Sequence, residues 1–236
     1  MNRTLKALSA LLTYPTEELR DAAADIDLAL AQDRHLPANV WTQLSKLTTE
    51  IATGDLYDLQ ERYVLLFDRT RSLSLHLFEH VHGESRDRGQ AMIDLKAQYE
   101  RAGLTPDATE LPDFLPLFLE YLATRPLKEA CETLVQPAHI LAALGERLRK
   151  RKSAYEAVFR ALVALSNAKP KDEEVSALLQ LPDPDATDLA ALDAAWEDEP
   201  VNFGPGGGDN CKDGLIARVR GGMRPAPGMP RPATRP

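Results

Sequence analysis

The side chains with the greatest chemical capacity in this 236-residue chain crowd into one run, His76 to Gln90. Three of the five histidines, His76, His80 and His82, fall within seven positions. His76 and His80 are four apart, so on an α-helix both imidazoles would leave the same face, with Glu79 beside them. This is the His-x-x-Glu-His pattern of inverted zinc peptidases, in which two His hold the metal and Glu acts as base. Hydrolytic zinc also needs a third protein ligand and an open coordination position. His139 and several carboxylates are available, but no partner motif singles one out. The run therefore reads first as a polar recognition surface. A helical zinc hydrolase built on His76, Glu79 and His80 is the alternative, and an unremarkable polar helix face is the third reading.

Two other features stand out. Tyr63-Val64-Leu65-Leu66-Phe67-Asp68 reads by itself as the inward stripe of a helix. Glu110-Leu111-Pro112-Asp113-Phe114 places acids around a proline, which suits a helix start, where carboxylates complement the helix dipole.

The elements that must position these groups are helical. Apolar residues recur at spacings of three and four between breakers, and no hairpin signal or sustained alternation occurs before residue 200. Residues 3–13 form a first helix. Thr16 caps a second, reaching about Ala31, and Pro37 opens a third that stops at Gly54. Asp55 caps a fourth over 56–67. A fifth runs from about Leu73 to Val81 and a sixth over 86–102, ended by Gly103, with the junction around Gly83 and Gly89 free to turn sharply. A seventh opens at Glu110-Leu111-Pro112-Asp113, and three more occupy 127–135, 138–151 and 154–165.

The expected architecture is all-α: a single-domain helical bundle over 1–169, an acidic connector over 170–203 with a short amphipathic run at Val175–Leu181, and a disordered tail over 204–236. Residues 172–199 hold ten acids and no Lys or Arg. The tail holds eight of the thirteen glycines and six of the seventeen prolines, a composition that cannot bury enough apolar surface to offset chain entropy.

Composition excludes several classes. Cys131 and Cys211 are the only cysteines, so neither a disulfide framework nor a four-thiolate metal site is available. Net charge is −8, and the body of the chain has no basic footprint for nucleic acid. The basic run Arg147 to Lys152 reads as a solvated helix end. No apolar stretch approaches the ~20 residues that span a bilayer, and no signal peptide is recognised, so a cytoplasmic protein without membrane insertion is expected. Nothing calls for a cofactor; Gly206-Gly207-Gly208 precedes no helix and makes no phosphate loop.

Taken in order and at these separations, the motifs resemble the redox-enzyme maturation chaperones of the TorD type, which carry an aromatic-x-x-Leu-Phe helix and a later Glu-x-x-Asp-His. Within them the chain resembles the respiratory nitrate reductase assembly chaperones, the NarJ or delta-subunit branch. Leu11 to Pro15, Tyr63 to Asp68, His76 to Met92, Glu110 to Pro116, Leu119 to Leu122 and Glu199 to Phe203 carry the resemblance, which spans about residues 5–203. Phe114 stands where the wider family has His, and nucleotide binding is not carried over. The resemblance implies a cytoplasmic chaperone, not an enzyme. It would bind the N-terminal segment of the catalytic α subunit of respiratory nitrate reductase, support molybdenum cofactor insertion and delay membrane attachment.

For a helical body, the expected receptor is a groove for an amphipathic peptide helix. Apolar groups at Tyr63, Leu66, Phe67 and Phe114 would line it. His76, Glu79, His80, Glu84, Arg86, Arg88 and Asp113 would form the polar rim, where charges add specificity. A helical adaptor for another client is the remaining alternative.

Fourteen Gly and Pro occur among the 33 residues from 204 to 236. Truncation after Phe203 is therefore expected to leave the thermal melting transition almost unchanged; a drop of several degrees would show that the tail packs.

Overall fold

Capping side chains fix where the helices begin. In the computed structural model the described residues are 2–32, 35–81, 86–105, 110–185, 187 and 188. The tail over 204–236 and most of the second half of the acidic connector lie outside them. Asn2 accepts from the Leu5 amide to start α1 (Arg3–Leu11). Thr16 accepts from Leu19 to start α2 (Glu17–Ala31), and Asp55 accepts from Tyr57 and Asp58 to start α4 (Leu56–Phe67). Each satisfies amides that have no partner within the helix. Pro37 precedes α3 (Ala38–Thr53). Gly54 ends α3 with φ −72°, so left-handed freedom is not its purpose. A Cβ there would lie 2.7 Å from the Glu50 carbonyl oxygen, and the chain needs that close approach.

The remaining helices are α5 (Arg86–Arg101), α6 (Leu115–Ala123), α7 (Leu127–Leu134), α8 (Ala138–Lys150), α9 (Glu156–Ser166) and α10 (Asp172–Leu179). Gly103, at φ +77°, follows α5, and Asn167, at φ +51°, closes α9 in the left-handed conformation. Gly89 lies inside α5 and makes no turn. Gly83 is outside the described residues.

The fifth predicted helix is absent. Residues 71–80 instead form two short 3-10 turns, Arg71–Leu73 and Leu77–His80, joined by an extended stretch. The seventh begins at Leu115, later than expected. Both differences have one cause. The Leu75 carbonyl accepts from the Leu115 amide (2.9 Å) and the Leu77 amide donates to the Asp113 carbonyl (3.1 Å), giving an antiparallel bridge between His76 and Phe114. Backbone groups satisfied across the fold are not available to a local helix.

The fold is all-α among the described residues. One core joins Leu8, Leu11, Leu44, Ile51, Leu119, Phe159 and Leu162, with α1 against α6 and α2, α2 against α3, and α9 against α3, α7 and α8. The Asn2 amide donates to Ala123 O and Ser9 Oγ to Pro116 O, both at 2.7 Å, so α1 and α6 run antiparallel.

The basic run at the end of α8 is not simply solvated. Arg147 is 4% exposed, and its guanidinium donates to the carbonyls of Ser72 (2.6 Å), Leu178 (2.8 Å) and Leu181 (3.1 Å). Arg151 pairs with Asp183 and Arg149 with Glu146. The helix Asp172–Leu179, which buries no residue fully, is thereby fastened to α8.

Arg147→Met is expected to cost about 2–3 kcal/mol, because three carbonyls lose a charged donor. Chemical denaturation measures the loss, and limited proteolysis should show earlier cleavage around α10.

Candidate functional site

Asp113 is the centre of the site. Its side chain is fully buried, and its two oxygens accept from His76 Nδ1 (3.2 Å) and the Phe78 amide (3.1 Å). It therefore lies beneath the surface rather than on a rim, and it holds residues 76–78 instead of capping its own helix. Tyr99 on α5 donates from its buried hydroxyl to Pro112 O (2.7 Å) and adds a third element to the same knot. The His76 ring packs on Phe114, centroids 5.4 Å apart.

The three residues of the His-x-x-Glu-His pattern are engaged separately. His76 lies in the extended stretch and bonds Asp113. His80 donates from Nε2 to the Ser74 carbonyl (2.9 Å), and Glu79 accepts from Arg88 on α5 (3.2 Å). They share no α-helical face. Among the described residues no group of three or more His, Cys, Asp or Glu is placed to hold a metal.

Electrostatics separate the two imidazoles. The hydrogen bond to Asp113 raises the His76 pKa, against the opposing effect of burial. Burial lowers that of His80, and Arg147 adds to the lowering. Burial thus disfavours the charged form of His80, whereas the Asp113 bond favours that of His76. Glu79 and Arg88 form a partly buried ion pair, with about a quarter of each side chain exposed.

Tyr63, Leu66 and Phe67 form a different cluster. All three are buried. Tyr63 stacks on Phe67 (5.0 Å) and meets Tyr14 edge-on (5.6 Å), while Phe67 meets Tyr155 (5.1 Å). The Tyr63 hydroxyl donates to Leu12 O at 2.8 Å, and burial pushes its pKa up. This motif buckles the end of α1 to α4 and α9; it is scaffold first. Glu84 lies outside the described residues. Arg86 begins α5, and its side chain is also outside them.

A cleft of about 570 Å3 opens between α1, α5 and α6, walled at one end by Phe114 and flanked by Glu110, Glu120 and Lys6. Its walls meet only through pairings such as Ser9 with Pro116, which no local pattern announces.

A helical body with this knot at residues 76–78 and 112–115 defines the class. The chain belongs to the family described as nitrate reductase delta subunit, which it matches over residues 33–161. It is 44% identical over 223 residues, 94% of each chain, to the nitrate reductase molybdenum cofactor assembly chaperone NarJ of Escherichia coli K12. It is 42% identical over 199 residues to the probable assembly chaperone NarW of the same strain, covering 84% of this chain and 83% of that one. Over 164 residues it is 32% identical to the probable assembly chaperone NarJ of Bacillus subtilis, covering 68% and 86%.

The raised His76 pKa has a definite sign. Folded protein holds that proton more tightly than unfolded chain, whose imidazole titrates near 6.5. The stabilisation is fully present below 6.5 and is lost as pH rises through the raised value. The melting gap between native protein and His76→Gln should thus be widest below the unfolded-chain value of 6.5 and narrow steadily as pH rises above it. A gap that stays flat across that range would show that the imidazole carries no charge there.

Proposed function

We propose that this chain is a cytoplasmic assembly chaperone for respiratory nitrate reductase and not an enzyme. In this reading it binds the N-terminal segment of the catalytic α subunit, keeps that subunit competent for molybdenum cofactor insertion, and delays membrane attachment until loading is complete. The observation that carries the reading is the 44% identity over 94% of both chains to a protein named as such a chaperone. Among the described residues, no helix is long and apolar enough to cross a membrane.

The client segment in this proposal contacts the surface formed by His76, Glu79, Arg88 and Phe114. Asp113 and His80 hold that surface from beneath, and Tyr63, Leu66 and Phe67 support it as core. A peptide helix that lays an apolar face on Phe114 gains affinity from burial, and the Glu79–Arg88 pair adds specificity.

Affinity capture of the tagged protein from nitrate-respiring cells, with mass spectrometry, should recover the catalytic subunit. Deleting the subunit's N-terminal segment should abolish recovery. In calorimetric titration with that segment as a peptide, Arg88→Gln should weaken binding several-fold and lower the melting transition only slightly, because the partly buried pair loses its charge without gaining a repulsion. Recovery of a different client, with no nitrate reductase subunit, would refute the assignment.

A further inference from the structure

Arg147 is held from two sides at once. Nη1 of its guanidinium donates to the Ser72 carbonyl, in the 3-10 turn that leads into the site, and Nη2 donates to the carbonyls of Leu178 and Leu181 at the end of α10. The guanidinium is planar and rigid, so neither side shifts without disturbing the other. From Ser72 the connections continue into the knot. The Thr70 and Ser72 hydroxyls share a hydrogen bond (3.1 Å), the Ser74 carbonyl takes the His80 ring nitrogen (2.9 Å), and the Ser74 hydroxyl accepts from the His76 amide (3.2 Å). His76 and Phe78 then reach Asp113. The charge of Arg147 is felt at His80, whose proton it disfavours.

The far end of this network is weakly held. α10 is eight residues long and buries none of them fully, with Leu178 packed half-buried against the core. A helix this short has little stability of its own in water. What fastens it is polar and lies toward its carbonyl end: Leu178 and Leu181 on Arg147, then Asp183 and the Pro184 carbonyl on Arg151. That end is the negative pole of a helix, which suits a guanidinium. A segment with so little burial opens at a lower cost than the whole fold.

We infer that α10 is a releasable strap that sets the conformation of residues 71–80 through Arg147. With the strap on, the guanidinium fills its three acceptors and pins Ser72. With the strap off, Nη2 loses both of its acceptors. The guanidinium turns to the water that replaces them and draws Nη1 off Ser72, which loosens the turn, the extended stretch and the bonds to Asp113. The coupling is reciprocal. Whatever fixes residues 71–80 tightens α10, and whatever draws α10 away slackens the surface at His76 and Glu79. The device lies in the chain itself and works without a client, so its failure and that of the chaperone reading are separate results.

Hydrogen exchange on the full chain, read by mass spectrometry, tests the coupling. Ser176 is exposed in the middle of α10, and Ser176→Pro breaks that helix while leaving Arg147 and the core in place. Peptides covering 71–80 should then exchange about tenfold faster, while those from α1, α2 and α3 keep native rates. The same substitution on an Arg147→Met background should add nothing at 71–80, since the link is already cut. Ser176→Ala, which favours helix, should slow exchange in α10 and in 71–80 together. Native rates at 71–80 in Ser176→Pro, with α10 itself exchanging freely, would overturn the strap. So would a further acceleration at 71–80 on the Arg147→Met background, or a rise spread evenly over α1, α2 and α3.

Discussion

A carboxylate sealed from water is tolerated only where other groups replace its hydration, and Asp113 meets that condition with an imidazole and a backbone amide drawn from residues 76–78. The rest of the site follows from that constraint. To reach the carboxylate, the chain after α4 gives up helix for an extended stretch. To keep the carboxylate in place, α6 begins only after the bridge to His76 is made. Phe114 is then left with one side against the imidazole and the other facing the cleft. Leaving a buried carboxylate short of a partner is costly, so the knot is a structural commitment of the fold.

The fold and the site differ in how much each side chain can be asked to do. Tyr63 and Phe67 gain their stability from ring contacts and burial, and they offer a partner almost no area. Glu79 and Arg88 make a single partly buried ion pair, with 25% and 23% of their side chains exposed, and are less committed to the core than the rings are.

Local chemistry was legible in the sequence and distant chemistry was not. Thr16, Asp55, Gly54 and Gly103 mark real boundaries because a cap or stop acts within four or five residues. The family could also be read, since its motifs are contiguous runs. Residues 73–81 were read as a helix because apolar positions alone do not reveal that their backbone bonds go to residues 113–115. Arg147 reads as a solvated base in sequence because its three acceptor carbonyls lie 31 to 75 positions away. Asp113 was placed on a rim because an acid after proline suits a helix start equally well. In the histidine run, composition was informative and geometry was not. His76 and His80 have the right spacing for a shared face but sit on a backbone that does not coil between them.

The bond from Ser9 to Pro116 spans 107 positions, and its consequence is temporal. As the chain leaves the ribosome, α1 emerges first and has no α6 to lie against. At synthesis rates of about 5–20 residues per second, that interval lasts roughly 5–20 s. Throughout it the apolar stripe of Leu5, Leu8 and Leu12 lacks its main cover. The chain therefore spends its own first seconds with an unfinished N-terminal segment. The cleft between α1 and α6 cannot exist until more than half of the chain has been made.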